Sequence, residues 1–222
     1  MARLVVPGLP HHVTQRGVRS IDVFADDDDR RLYLTLMREQ GGRFGVRFLA
    51  WCLMSNHIHL VCVPEGEQSL ARGIGEAHKR YTRTKNFRAG ARGYLFQGRF
   101  GSCALDEKHL MAAARYAELN PVGARICATP EAYEWSSARF HLDGRRRDPL
   151  VLDEDRDLSG LVDDWTTFLQ DGIDGMAARR LERHLGSGRP CGSDGFVRML
   201  EKRTGRDLAP RKRGWRAGRA RK

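Results

Sequence analysis

The sequence lacks the features that assign a protein to a membrane, secreted or repeat class. Its 222 residues contain no run approaching the roughly 18 apolar residues of a membrane span. Residues 1–10 have neither the basic start nor the long apolar stretch of a secretory signal. The five cysteines form no Cys-x-x-Cys pair, and Cys52 and Cys62 lie in apolar runs, where cysteine acts as a small buried hydrophobe. These absences predict a globular protein of the cytoplasm that has no membrane partner.

Acidic side chains are too few to balance the basic ones. Thirty-nine Lys and Arg residues against 28 Asp and Glu residues give a formal net charge of +11. A surplus of this size favours a polyanionic partner, because neutralised phosphates release condensed counterions. The surplus is mostly arginine, whose planar guanidinium suits phosphate oxygens and base edges. Charge alone does not distinguish DNA from RNA, and solubility is the alternative explanation.

Apolar periodicity and turn residues predict an alternation of strands and helices. The predicted strands are residues 9–16, 46–54, 57–63 and 100–105, with 46–54 as a central strand. The predicted helices begin at the carboxylates of residues 26–29 and stop at Gly41 and Gly42, run from Ser69 to about residue 87, and run from 107 to about 120 before Pro121. This order predicts an α+β fold, a ferredoxin-like antiparallel four-stranded sheet with helices on one face.

The composition changes beyond about residue 125, which predicts three regions. Residues 1–125 form a first domain, residues 126–205 an extension with short helices at 176–185 and 193–204, and residues 206–222 a basic tail. Seven of the last twelve residues are Lys or Arg, and almost none is apolar. The tail is interpreted as a disordered arm that tracks phosphates, with a merely solvated tail as the alternative.

His57 and His59 are candidate metal ligands. Residues two apart on a strand project from the same face, so both imidazoles point one way and Ile58 points the other. Two such imidazoles can share a divalent cation. A hydrogen-bonded pair of structural histidines is the alternative, because a His-x-His sequence alone is a weak signal.

Tyr116 and Asn120 form a second candidate pair. They are four residues apart on the last predicted helix, hence neighbours on one helix face. The Asn120 amide oxygen can add a third ligand to two imidazoles and leave positions open for substrate oxygens. The alternative makes Tyr116 a core aromatic residue and Asn120 an ordinary helix terminus before proline.

The two pairs in this order resemble a known family. The segments MSNHIHL and YAELNPVGA, with HHVTQRG near the start and FQGRF before the last strand, are similar to the single-tyrosine HUH transposases. The similarity covers about residues 9–125 and is greatest to the REP-associated tyrosine transposases, whose basic C-terminal arm and GSGRPCGSDGF-like segment also resemble this chain. Two segments depart from the family pattern, Val18-Arg19-Ser20 and Gly123, which stands where arginine is usual.

The resemblance implies a catalytic tyrosine at Tyr116 and metal ligands at His57, His59 and Asn120, with Mg²⁺ or Mn²⁺ as the usual ion. From the imidazoles alone, zinc would serve equally well. It further implies cleavage and rejoining of single-stranded, hairpin-flanked DNA through a 5′-phosphotyrosine bond, without a nucleotide cofactor. The candidate DNA-binding residues that follow from the matching segments and the basic helix are Gln15, Arg16, Gln97, Arg99, Lys79, Arg80 and Arg83.

Two other functions compete with a strand transferase. One is a hairpin-DNA-binding regulator without catalysis, although an intact set of His57, His59, Tyr116 and Asn120 argues against decay. The other is a replication-initiator-like HUH endonuclease, although no Tyr-x-x-x-Tyr pair of nucleophiles occurs. We expect a monomer or a homodimer, and no metal role for the other histidines (His11, His12, His78 and His109).

Overall fold

The computed structural model describes residues 3–144, 147–150 and 158–209. Within them, one four-stranded sheet has the order β2-β3-β1-β4, and every neighbouring pair is antiparallel. The strands are β1 (His11–Arg16), β2 (Val46–Leu53), β3 (His57–Pro64) and β4 (Gly101–Ala104). The predicted α+β class and ferredoxin-like strand arrangement are therefore confirmed.

Helices cover both faces of this sheet, so the expectation of helices on one face was wrong. The helices are α1 (Asp27–Phe44), α2 (Ser69–Arg88), α3 (Glu107–Gly123), α4 (Ala138–Leu142), α5 (Trp165–Gln170), α6 (Gly175–Ser187) and α7 (Asp194–Thr204). Helices α1 and α2 pack with Ile58 and Leu60 of β3, whereas α3 and α5 belong to the core around Val61 and Val63. Because β3 is apolar on both faces, each face requires a helical layer.

Strand β2 lies at the edge of the sheet rather than at its centre. Its outer edge is covered by a later segment, since the Leu53 N–H donates to the Trp135 carbonyl at 2.8 Å and the Ser137 N–H donates to the Trp51 carbonyl at 2.9 Å. Trp51 itself is 1% exposed. The apolar run that predicted a central strand therefore reflects burial by a cover outside the sheet.

Two helix ends differ from prediction. Helix α1 continues past Gly41, where a Cβ would lie 2.5 Å from the Phe48 ring, and it ends at Gly45 with φ of 65°. Gly41 thus permits close packing, and Gly45 is the left-handed residue that ends the helix. Helix α3 continues through Pro121 to Gly123, because a proline in the last turn removes only one hydrogen bond.

Aspartate side chains cap the N-termini of α1 and α3. The carboxylates of Asp26 and Asp106 accept from the backbone N–H three residues later, at Asp29 and His109. Ser69 does not cap α2; its hydroxyl accepts from the Gly66 N–H at 3.0 Å, in the preceding turn.

The region after α3 folds against the sheet through α3 and β4. Helices α5 and α6 both contact α3, and α6 also contacts β4 and β1. The boundaries at residues 125 and 205 remain predictions, and the basic arm at 211–222 lies outside the described residues. In the described part of the chain, no helix is long and apolar enough to cross a membrane.

Candidate catalytic site

His57 and His59 lie side by side on β3, on the face covered by α3. Their ring centroids are 5.1 Å apart and the rings are nearly perpendicular. His59 is 5% exposed, whereas His57 is half-buried and borders an open cavity of about 370 Å³ that His59 also lines. The strand therefore brings the two imidazoles to one opening, as their spacing predicts.

Each of these imidazoles has one ring nitrogen engaged in a hydrogen bond. His57 Nδ1 donates to the Asn56 side-chain oxygen at 2.6 Å. His59 Nδ1 is 3.0 Å from Nε2 of His12, a fully buried residue of β1. When Nδ1 carries the proton in both ligands, Nε2 keeps its lone pair for a metal. His12 is thus a site residue that the sequence interpretation left without a role.

Burial keeps these histidines neutral. Burial lowers the pKa of His57 to about 4, assisted by the Arg16 charge and opposed by a hydrogen bond with Asn120. Burial also lowers the pKa of His59 well below its ordinary value, and His12, His57 and Arg16 lower it further. Neutral imidazoles are the form that binds metals.

Tyr116 projects from α3 onto the histidine pair. Its ring lies 5.3 Å from the His59 ring in an edge-on arrangement. Its hydroxyl donates to Glu182 Oε1 of α6 at 2.9 Å. The Asn120 side chain, one helical turn further along, is near enough to raise the pKa of His57 and to lower that of Tyr116. The structure therefore brings all four sequence-predicted site residues together and adds Glu182.

The resting Tyr116 phenol is protonated. Burial and the Glu182 carboxylate raise the pKa of Tyr116 to about 12, while Asn120 and Arg16 act in the opposite direction. A phenol with this pKa requires a proton acceptor and a stabilising charge before it can act as a nucleophile near neutral pH. Glu182 is positioned to be the acceptor, and Arg16 supplies positive charge.

The residues fit a divalent metal of low protein coordination. No group of three or more His, Cys, Asp or Glu side chains that could hold a metal occurs among residues 3–144, 147–150 and 158–209. The possible ligand set is therefore two neutral imidazoles, His57 and His59, with the Asn120 amide oxygen. This donor set leaves coordination positions for substrate oxygens, as a Lewis-acid site requires.

The proposed DNA-binding residues divide between two cavities. The open cavity beside His57 and His59 is called the catalytic cavity below. Arg16, Gln97 and Arg99 border it, together with the largely buried Gln15. A second cavity of about 590 Å³ lies on the opposite face of the sheet, beside α2, and is called the α2 cavity below. It is lined by Lys79 and Arg83, and it shares Gln15 and Arg99 with the catalytic cavity; Arg80 is exposed and borders neither cavity.

A buried carboxylate on α3 fixes the helix that carries Tyr116. Glu118 is 0% exposed. It accepts from the Ser137 hydroxyl at 2.5 Å, from His141 Nδ1 at 2.5 Å and from Trp165 Nε1 at 2.8 Å. A buried carboxylate requires hydrogen-bond partners, and those of Glu118 belong to the α4 region and to α5. The bonds therefore join α3 to both helices. No sequence motif indicated this network.

A ferredoxin-like sheet that presents two neutral histidines to a tyrosine on a neighbouring helix defines a class of candidate phosphoryl-transfer site. Residues 6–120, more than half of the chain, match the family model described as "Transposase IS200 like". The chain therefore belongs to the IS200-like transposase family. A search of curated proteins finds no match.

The fold is also similar to a solved structure, that of a REP-associated tyrosine transposase bound to a REP hairpin. The two share 18% sequence identity with a TM-score of 0.56, over 69% of this chain and 90% of that one. The similarity extends the family assignment to the three-dimensional fold.

Proposed function

We propose that this protein cleaves and rejoins single-stranded, hairpin-flanked DNA through a 5′-phosphotyrosine intermediate. The convergence of Tyr116, His57 and His59 on one open cavity, with Asn120 near enough to shift the pKa values of His57 and Tyr116, is the observation that carries the proposal. Membership of a transposase family supports DNA as the substrate. The hairpin is proposed because the structurally similar transposase was solved bound to one.

In the cleavage step, the Tyr116 oxygen attacks the scissile phosphorus. An O–P bond forms to the tyrosine, the bond between phosphorus and the 3′ oxygen breaks, and the 3′ oxygen takes a proton from solvent and leaves as a hydroxyl. The phenolic proton passes to Glu182, which already accepts a hydrogen bond from it. Because the phosphotyrosine retains the phosphodiester's free energy, the 3′-hydroxyl of the same or another strand reverses the step without ATP.

We assign His57, His59 and Asn120 as ligands of Mg²⁺ or Mn²⁺. When bound, such an ion supplies Lewis-acid stabilisation of the charge on the scissile phosphate. The protein's own contribution is to keep both imidazoles neutral by burial and to place both beside the cavity. Arg16 raises the positive potential around Tyr116 and lowers the pKa of its phenol, which favours the attacking phenolate.

The test is incubation with labelled single-stranded hairpin DNA from beside the protein's own gene, with Mn²⁺ added or withheld. A protein–DNA adduct that survives denaturation, and that requires both Mn²⁺ and Tyr116, is the expected result. Tyr116→Phe keeps the ring and removes only the nucleophilic hydroxyl, so it is the matched control. Tight hairpin binding without an adduct would instead identify a non-catalytic hairpin-binding regulator.

A further inference from the structure

The α2 cavity has the chemistry of a nucleobase site. One wall is a face of α2 made of small residues, Ala71, Gly75 and Thr82, and the other is the segment from Gly93 to Phe100. Its volume of about 590 Å³ is that of a small-ligand site. It is separate from the catalytic cavity, because α2 and α3 cover opposite faces of the sheet.

Aromatic rings line the inside and the rim of this cavity. His78 and Phe96 are each 7% exposed, and their ring centroids are 4.4 Å apart. His78 is held in place by a 2.9 Å hydrogen bond between its Nε2 and the Tyr33 hydroxyl. Tyr94, at the rim, is 89% exposed. A rigid aromatic interior with an unpacked tyrosine at the entrance offers stacking surfaces that suit any base.

Positive charges surround the rings. Arg3 stacks on the Phe100 ring at 3.5 Å and donates to the Phe100 carbonyl at 2.9 Å, while Lys79, Arg83 and Arg99 also border the cavity. Within the described residues, neither Arg83 nor Arg99 has a carboxylate within ion-pair distance. Burial and the Arg99 charge lower the pKa of Arg3 to about 10, so an anion placed between these guanidinium groups would relieve their repulsion.

Gly75 is the residue that packing does not explain. Helix α2 contains two nearby glycines, and a Cβ at Gly73 would meet Val46 at 3.0 Å, so close packing against β2 accounts for that glycine. A Cβ at Gly75 would meet nothing within 4 Å. A glycine inside a helix costs about 0.5–1 kcal/mol relative to alanine. The face of α2 at Gly75 therefore borders open space in the cavity, which a large side chain at this position would occupy.

We propose that the α2 cavity holds one unpaired nucleobase of the single strand whose scissile phosphate lies in the catalytic cavity. Continuity between the two sites supports this occupant, because Gln15 and Arg99 border both cavities. Gln15 is 5% exposed, and its amide nitrogen donates to the Gly98 carbonyl at 3.0 Å, which fixes it between the two sites. The inference rests on the proposed function for the identity of the strand.

The test uses a short single-stranded oligonucleotide that contains 2-aminopurine and has no hairpin, with the full chain. In the wild-type protein we expect quenching of the fluorescent base as it stacks. Gly75→Leu fills the cavity from an unstrained helical position and is expected to weaken binding about 10-fold to 100-fold, the range for loss of one stacked base. Gly75→Ala leaves most of the space open and retains binding.

Two further variants keep the result interpretable. Tyr94→Ala removes an exposed ring that contributes nothing to the core, and we expect it to weaken binding and quenching without changing the thermal unfolding temperature. Gly195→Leu places the same substitution at an open position on α7 and is expected to bind like the wild type. Wild-type affinity and quenching in both Gly75→Leu and Tyr94→Ala would overturn the inference.

The outcomes for the cavity and for the proposed function are separate. Failure to form any Tyr116 adduct with hairpin DNA, combined with loss of oligonucleotide binding in Gly75→Leu, would reject the strand-transfer function and keep the cavity as a base site. Normal adduct formation in both Gly75→Leu and Tyr94→Ala, with unchanged oligonucleotide affinity, would reject the cavity and keep the function.

Discussion

His12→Ala tests whether the metal site depends on a residue that is not itself a ligand. His12 Nε2 lies 3.0 Å from His59 Nδ1, and both side chains are almost entirely buried. The hydrogen bond fixes the His59 ring plane, and when His12 is the acceptor it holds the His59 proton on Nδ1. Removing the His12 ring frees the His59 imidazole to rotate and to place its proton on Nε2, where it blocks metal binding.

The expected magnitude follows from the burial of the pair. A buried polar group that loses its partner costs about 1–3 kcal/mol. Loss of an outer hydrogen bond to a ligating histidine typically lowers metal affinity about 10-fold to 100-fold. We therefore expect Mn²⁺ affinity to fall by about this factor in His12→Ala, while Tyr116 remains present and the sheet remains folded.

The assay is titration of the full chain with Mn²⁺, in which electron paramagnetic resonance measures the free ion. The adjacent His11→Ala is the matched control. His11 is equally buried, but it accepts from the Val6 N–H and pairs with the Leu9 carbonyl, so it does not contact the catalytic set. Nitrogen NMR of His59 should show protonated Nδ1 in the wild type and in His11→Ala, and a mixture of tautomers in His12→Ala.

Equal Mn²⁺ affinities for His12→Ala and His11→Ala would refute the reasoning, whether both fell or neither did. An equal loss would reflect general destabilisation of β1. No loss in either would mean that strand packing alone orients His59, and that the contact with His12 has no influence on the metal.

Three other perturbations have definite expected outcomes. Glu118→Ala removes the acceptor of three buried donors and should lower the free energy of unfolding by at least about 3 kcal/mol in urea titrations; a loss below about 1 kcal/mol would contradict the network's role. Glu182→Gln should bring the pKa of Tyr116 down towards 10, measured by tyrosine ¹³C NMR. The same variant should slow single-turnover cleavage about 100-fold or more, because the proton acceptor is lost. Faster cleavage would mean that Glu182 restrains Tyr116 instead of accepting its proton. Burial lowers the pKa of His11 to about 4 and of His78 to about 3, so below pH 6.5 the unfolded chain binds protons that the folded chain does not. Between pH 7 and pH 5 each histidine should therefore lower the free energy of unfolding by about 2 kcal/mol. A urea midpoint that is the same at both pH values would exclude this.

The order of the first seven elements and the His57–His59 geometry were predictable because both depend on local periodicity. Strand alternation alone places the two imidazoles on one face, and helical spacing alone places Tyr116 and Asn120 on one side of α3. Neither inference requires knowledge of which strands pair. The resemblance to a family then supplied the relation between the two pairs, which local pattern does not contain.

His12 was missed because its role depends on strand register. In the β1–β3 ladder, Thr14 stands opposite His59 and His12 stands opposite Val61, so His12 and His59 are diagonal neighbours. Diagonal neighbours on one face are within reach of large side chains. The signal was present, since alternation places His12 on the same face as Arg16, but only the pairing of β1 with β3 gives it meaning.

The edge position of β2 depends on tertiary packing, and so do the contacts that Trp135 makes with β2 and Glu182 makes with Tyr116. The apolar run of β2 is the same whether its edge is covered by another strand or by the segment containing Trp135. Glu182 lies 66 positions after Tyr116 in the sequence and reaches it through docking of α6 on α3. A glutamate on the solvent side of an amphipathic helix carries no sequence signal that distinguishes a proton acceptor from an ordinary surface charge.

Tyr116 therefore lies between the sheet, on one side, and helix α6 of the region after residue 125, on the other. On one side, the sheet fixes His57 and His59 through β3, which is paired along both edges. On the other side, Glu182 belongs to α6, whose contacts with α3 and β4 hold it at the cavity. If Glu182 accepts the proton of Tyr116, the region after residue 125 contributes directly to the chemistry of the first region. In the full chain, Glu182→Gln would then keep the histidine pair and lose the proton acceptor, so metal binding and cleavage should separate in it.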